Sequence, residues 1–302
     1  MPERCEENRL QALDSVSIFV VHAFLVLSPT QPPAAPQYSP NSSRHQSVTI
    51  DGIPVFAGSA RDAMARCLAL TRQRQGARIA TANLDFLALA RQHPQLKHDL
   101  TNSTLVVADG MPVVWLGKLA GGRSMERLAG VDLVRELFVS RADEPLRVAV
   151  YGSTEETSLR AVESLHSVGN GARVVVVANP PFRALSSEEK TVDLERLKLA
   201  KPDVVLVALG CPAQERLIAS WAPVMPSVTW IGIGGALDFY AGVRRRAPRA
   251  LQRGGLEWVV RMVQEPRRLG PRYFLRDLPA LAAIASGCVR TRFTTTKQLA
   301  RS

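Results

Sequence analysis

Between residues 77 and 233 the chain alternates short apolar runs with longer amphipathic stretches. The short runs fall at 77–82, 104–108, 146–151, 173–178, 204–209 and 228–233, and several are nearly continuous in Val, Ile and Leu. Such runs suit strands buried on both faces, so they predict six β-strands. The amphipathic stretches predict helices at 84–92, 131–140, 155–167, 188–199 and 214–221. Repeated β-α alternation predicts an open α/β fold with a mainly parallel sheet flanked by helices.

In sheets of this kind ligands bind beyond the carboxyl ends of the strands, so the residues there carry the candidate chemistry. They are Thr81-Ala82-Asn83, Asp109-Gly110, Gly152-Ser153, Gly210-Cys211-Pro212 and Gly232-Ile233-Gly234-Gly235. Glycine repeatedly follows an apolar strand, as it does where backbone turns sharply or approaches a ligand. Ser153 with Glu156 has the spacing of a capping box, which leaves a helix N-terminus suited to an anion. Taken singly, each feature also fits an ordinary βα turn. Asp109 has two readings on spacing alone. One is a partly desolvated general base at the end of an apolar strand; the other is an Asx-type turn with Gly110.

The pattern changes toward the N-terminus. Residues 16–27 are twelve mostly apolar positions, fewer than the roughly 17–25 that cross a bilayer. Glu3, Glu6, Glu7 and Asp14 precede them, the wrong sign for the start of a signal peptide. Residues 28–43 are rich in Pro and Ser and read as a disordered linker. The whole of 1–46 thus reads as a dispensable extension, with a membrane-contact segment as the sharper alternative.

Composition adds two constraints. At 302 residues and 46% hydrophobic content the chain can bury a core for one large domain or two small ones. The four cysteines, Cys5, Cys67, Cys211 and Cys288, show no C-x-x-C pairing, so neither a disulfide framework nor a thiolate zinc site is expected, and a reducing, cytosolic setting fits.

Charge is distributed unevenly. Residues 242–302 hold fourteen Lys/Arg against three Asp/Glu, a surplus of eleven that equals the formal charge of +11 for the whole chain. A neutral body with a cationic end points to an anionic partner: nucleic acid, a membrane face or phosphorylated substrates.

The ordered set TANLDF (81–86), VADGMPVV (107–114), RLAGVDL (127–133), YGS (151–153), PDVVLVALGCPAQE (202–215), IGIGGALDFYAG (231–242), RAP (246–248) and GLEWVVRMVQEPRRLGPRY (255–273) resembles the WecG/TagA/CpsF family of bacterial glycosyltransferases. The resemblance covers about 47–278. It implies a Rossmann-like core at 47–242 and a basic helical C-terminal appendage at 243–302 that contacts membrane and closes over the active site. It further implies inverting transfer of a sugar from a UDP-sugar to a polyprenyl-diphosphate-linked saccharide, in the making of bacterial surface or exopolysaccharide. N-acetylmannosamine, its uronic acid, glucose and similar sugars fit this appearance equally. The implied place is cytoplasmic, peripheral on the inner face of the cell membrane. The oligomeric state stays open, a homo-oligomer included.

Site residues follow from the same resemblance. Asp109 matches the proposed base and Thr81 a polar position near it. Asn83, Arg127, Gly152 and Gln214 are expected at the substrate, and Asp238 at the uracil. Arg261, Arg268 and Arg272 match appendage arginines expected to steady the departing diphosphate. On sequence alone a solvated helix-face arginine is the other reading of Arg127 and of the appendage set. No cofactor is expected, and no metal, because none of the twelve aspartates begins a D-x-D motif. Ala213 stands where the family commonly has Lys, with Arg216 as the nearest substitute.

Two other functions fit parts of the pattern. A nucleic-acid-binding protein would explain the basic end, but no zinc-finger spacing or RNP1-like stretch is present. A Rossmann oxidoreductase lacks its G-x-G-x-x-G after the first predicted strand. The apolar stretch 278–289, flanked by Arg276, Arg290 and Arg292, fits either an anionic interface or a buried packing helix.

Overall fold

In the computed structural model of the chain the described residues are 47–140, 144–253 and 256–299. The expected extension 1–46, its apolar run included, lies outside them, as does the side chain of Arg292. The six apolar runs form six parallel strands in one sheet: β3 (Ala77–Ala82), β4 (Leu105–Ala108), β5 (Leu146–Gly152), β6 (Ala172–Ala178), β7 (Val204–Ala208) and β8 (Thr229–Gly232). Their spatial order is β4-β3-β8-β7-β5-β6. The central β7 and β8 are buried at every position, whereas β6, at the edge, is half-exposed along its valines.

Ahead of the sheet lies a hairpin that the pattern of long apolar runs does not reveal. Its strands, β1 (Ser47–Ile50) and β2 (Ile53–Phe56), pair antiparallel. Asp51 and Gly52 form its two-residue turn with φ of 50° and 84°. Asp-Gly is the dipeptide such a turn favours, because both positions need positive φ.

Successive side chains of each strand point to opposite faces, which builds two layers. Ile79, Val107, Leu206 and Ile231 join one buried cluster with α1 (Ala60–Arg72), α5 (Gly130–Val139) and α6 (Glu155–Val168). On the other face Ala80 and Val106 pack against α2 (Leu84–Gln92), α3 (Pro94–Thr101) and α4 (Met111–Leu119). Val205 and Trp230 meet α7 (Ser187–Ala200) and α8 (Ala213–Trp221) on that same face.

After the short α9 (Leu237–Tyr240) the basic end folds as helices, α10 (Arg249–Arg253), α11 (Glu257–Gln264), α12 (Pro266–Arg272) and α13 (Leu278–Leu299), with a π-turn at Tyr273–Asp277. The stretch 278–289 packs by one face only. Ile284 and Cys288 are buried in the cluster shared with α2 and α4, while Phe274, Leu275 and Leu278 are exposed. Contacts gather the described residues into one unit. Among the described residues no helix is long and apolar enough to cross a membrane.

One local expectation is corrected. Ser153 does not cap α6: it has φ of 63° and follows Gly152 at 107°. Those two positive-φ residues carry the chain one step further before the helix begins. Thr154 is the cap, its side chain accepting from the Thr157 backbone N–H at 3.3 Å. A reciprocal capping box forms instead at Ser186 and Glu189, at the start of α7.

Candidate functional site

A cavity of about 200 Å³ opens at the carboxyl ends of β3, β4 and β8, against about 10 Å³ for a second one beside Glu215. Thr81, Asn83, Asp109 and Gly234 line its sheet side, and Arg261 and Arg272 its appendage side. Apart from Thr81 and Asn83, which share the end of β3, they enter from different elements far apart in sequence.

Asp109 follows β4 directly. Its backbone N–H donates to Ala82 O at 2.8 Å, extending the pairing of β4 with β3 by one residue. Its Oδ1 accepts from the Gly130 N–H, the first residue of α5, at 3.0 Å. That bond turns the carboxylate toward a helix N-terminus rather than into an Asx turn with Gly110. Burial pushes the carboxyl up to about 6, against the pull of Arg261, the Gly130 N–H and Arg127, with Glu257 pushing it further up. Desolvation therefore wins over two nearby cations.

The other carboxylates lining the cavity are held by arginines. Glu257 pairs with Arg127, and Asp85 and Asp277 both pair with Arg272 and Arg276. Asp109 has no ion pair among the described residues, so its charge faces the cavity.

Thr81 is buried and donates its hydroxyl to Gly232 O at 2.7 Å, tying β3 to the end of β8. Its oxygen remains an acceptor. Asn83 caps the next helix: its Oδ1 accepts from the N–H groups of Asp85 at 2.9 Å and Phe86 at 3.3 Å. Arg127 lies in the loop before α5 rather than on a helix face, and its pair with Glu257 joins the core to α11.

The appendage arginines divide. Arg261 stands over the Phe239 ring at 5.3 Å, lines the cavity, and has a buried Nε without a hydrogen-bond partner. It has no ion pair among the described residues. Arg272 lines the cavity too, over Tyr273 at 4.9 Å and 3.4 Å from Asp85. Arg268 does not line it: its side chain is 58% exposed and paired with Glu265.

Three further expected residues also stand outside the lining. Gly152 ends β5, away from the cavity, and its carbonyl accepts from Asn179 Nδ2 at 2.8 Å and Ser158 Oγ at 3.2 Å. Asp238 pairs with Arg244 at 3.2 Å behind Gly235. Gln214 is fully buried, its amide spent on Gly234 N–H and Glu215. Ala213 and Arg216 are both exposed and do not line the cavity.

Sequence reasoning missed Asp85, Glu257, Asp277, Trp115, Trp258 and Tyr273, all of which line the cavity. Asp85 and Glu257 lie inside the motifs TANLDF and GLEW, but nothing local shows that each would meet an arginine more than a hundred positions away. Trp258 and Tyr273 meet edge-to-face at 5.9 Å and form an aromatic wall. Among the described residues no three His, Cys, Asp or Glu side chains gather as a metal ion needs.

Known proteins share this sequence pattern. The N-acetylglucosaminyldiphosphoundecaprenol N-acetyl-beta-D-mannosaminyltransferase of Bacillus subtilis (strain 168) is 29% identical over 196 residues, covering 65% of this chain and 75% of the relative. The enzyme of the same name from Bacillus spizizenii (strain ATCC 23059 / NRRL B-14472 / W23) is 30% identical over 196 residues, covering 65% and 74%. That from Staphylococcus aureus (strain MRSA252) is 27% identical over 198 residues, covering 64% and 74%. The pattern that defines the Glycosyl transferase WecG/TagA/CpsF family matches residues 48–297, from β1 into α13. With the sheet, the cavity and the appendage all inside that match, the chain belongs to the WecG/TagA/CpsF family of glycosyl transferases.

Proposed function

We propose that the cavity transfers N-acetylmannosamine from its UDP conjugate to a polyprenyl-diphosphate-linked N-acetylglucosamine, in the synthesis of a cell-envelope polymer. The acceptor and the sugar are those in the relatives' names. The observation that carries the reading is Asp109, a carboxylate without an ion pair among the described residues, facing a cavity whose other wall carries Arg261.

In the proposed step an acceptor hydroxyl oxygen attacks the anomeric carbon as its proton passes to Asp109. The bond from that carbon to the UDP oxygen breaks, and UDP leaves with the electron pair. A general base of raised pKa suits work near neutrality. One displacement inverts the anomeric carbon. Arg261 and Arg272 offer planar N–H donors to the departing diphosphate, which supports leaving-group stabilisation by arginine without a metal. Thr81 and Asn83 offer acceptor and amide groups to sugar hydroxyls. Gln214, from behind the wall, and Arg127, through Glu257, would serve binding by holding lining residues in place.

The apolar side of the cavity suits the lipid end of the acceptor. Trp115, Leu278 and Leu281 line it, Phe274, Leu275 and Leu278 are exposed, and exposed Arg267 and Arg268 precede them closely in sequence. Apolar side chains beside cations suit an anionic membrane face. This supports reading the enzyme as peripheral on the inner face of the cell membrane.

The test is incubation of the full chain with a panel of UDP-sugars and a lipid-diphosphate N-acetylglucosamine, measuring released UDP. Release with the N-acetylmannosamine donor is expected. Release with a different donor alone would overturn the sugar, and none with any donor would overturn the reading.

A further inference from the structure

Behind the cavity wall a second polar unit does no chemistry in the proposed step. Gln214 and Glu215 open α8, 0% and 5% exposed, and both side chains point back toward the end of β8. Gln214 Nε2 donates to Glu215 Oε1 at 2.7 Å, and Gln214 Oε1 accepts from the Gly234 N–H at 3.0 Å. Gly234 lines the cavity with φ of 50°. Glu215 Oε2 is buried with no hydrogen-bond partner, an expensive arrangement for a carboxyl group.

Gly232 shows how tightly the unit is fitted. A Cβ there would lie 2.6 Å from Gln214 Nε2 and 3.1 Å from Glu215 Oε1. The same residue's carbonyl accepts from Thr81. The end of β8 is thus clasped between Thr81 on the cavity side and the Gln214–Glu215 pair behind it.

An amide side chain has two ends of opposite character. Gly234 offers a donor, so Gln214 holds it only with its oxygen forward, and the amide nitrogen must then face an acceptor. Glu215 Oε1 is that acceptor. Without it the buried amide N–H2 has no acceptor in that orientation, so the oxygen-forward hold on the Gly234 N–H is weakened.

We infer that Glu215 is a positioning residue: by fixing the orientation of the Gln214 amide it holds the Gly234 turn, and with it the donor-side wall of the cavity. The inference deepens the glycosyl-transfer reading in naming the donor side, and rests on that reading there. The geometry of the turn is independent of it.

The experiment has two readouts on the full chain. Hydrogen exchange at the Gly234 amide reports the turn itself. Glu215→Gln keeps an acceptor oxygen and should retain wild-type protection. Glu215→Leu removes it and should speed exchange by about tenfold, the loss of one net hydrogen bond. The second readout is UDP binding and steady-state kinetics. Glu215→Leu should raise the UDP Kd and the donor KM by about tenfold at nearly unchanged kcat, with Glu215→Gln near wild type. If a single variant does not fold, Gln214→Met with Glu215→Leu replaces the pair by apolar groups of similar volume, which cores tolerate. That double variant should show the same fast exchange.

Wild-type exchange rates at Gly234 in Glu215→Leu or in the double variant would overturn the inference. So would unchanged UDP affinity in a variant whose turn has loosened. A wild-type chain that binds no UDP would instead sink the donor reading, and the exchange result would still decide whether Glu215 holds the turn.

Discussion

At the ends of β3, β4 and β8 the chain turns through Asn83, Asp109 and Gly234 into a cavity, whereas Gly152 and Gly210 at the ends of β5 and β7 do not line it. Both halves of the sheet use glycine with positive φ at these turns. What differs is what packs over them. On the first half α11, α12 and the π-turn bring Arg261, Arg272 and the Trp258–Tyr273 wall across the strand ends. On the second half the turn is filled by its own neighbours, with Asn179 and Ser158 bonded to the Gly152 carbonyl. A strand-end glycine is therefore no mark of a ligand by itself; the cavity forms where the C-terminal helices cover the strand ends.

The sharpest way to break this comparison is at Asp109. Asp109→Asn keeps an oxygen for the Gly130 N–H and removes the proposed base, so kcat should fall by about 10²–10⁴-fold in a UDP-release assay. The wild-type rate should rise as pH passes through about 6, where the carboxyl ionises, and level off above. Stability should move the other way. Because burial raises this carboxyl from 3.8 to about 6, the folded chain holds the proton more tightly than the unfolded one. The stability gained that way is fully present below about pH 4 and lost as pH rises through about 6. The asparagine variant should thus be more stable than wild type by about 1–3 kcal/mol at pH 8, with no gain near pH 3. Denaturant melts at the two pH values check this.

Arg261 tests whether the appendage belongs to the chemistry. Arg261→Ala should cut turnover by about 10²-fold if its guanidinium meets developing charge on the leaving diphosphate. It should also shift the acid limb of the pH profile upward, since Arg261 is the strongest pull lowering the Asp109 carboxyl. Arg268→Ala, on the exposed side of α12, should change turnover less than about twofold, as loss of a surface pair does. Equal effects at the two arginines would erase the distinction between the covering face and the outer face.

The sheet was legible because buried parallel strands announce themselves as unbroken Val, Ile and Leu runs, and Asp109, Thr81, Asn83, Arg127, Arg261 and Arg272 were legible from ordered motifs. The basic end was read as a cationic surface that meets an anionic partner, and several of its arginines are paired within the chain. Arg246 meets Asp132, Arg244 meets Asp238, and Arg272 and Arg276 meet Asp85. Much of its charge is thus answered by acids of the core, which a charge count along the chain cannot reveal, because all of these pairs but Arg244–Asp238 join residues more than a hundred positions apart. Gly152 and Arg268 carry the same lesson. Both were expected at the substrate from their motifs and neither lines the cavity, because which face of an element looks into it is decided by tertiary packing.

Gly152→Ala is the smallest test by activity and the most direct on the second half of the sheet. The glycine has φ of 107°, and a Cβ would lie 2.7 Å from the Ala208 carbonyl carbon and oxygen. Backbone strain and that overlap should together cost about 2–4 kcal/mol of stability. Because the residue stands two strands from β8 and its carbonyl is already bonded, the folded fraction should keep kcat and donor KM within about twofold of wild type, a change below 0.5 kcal/mol. Thermal melts and kinetics corrected for folded fraction separate the two effects. A large KM change with little loss of stability would mean that the donor reaches across to β5, and the two halves of the sheet would then form one binding surface.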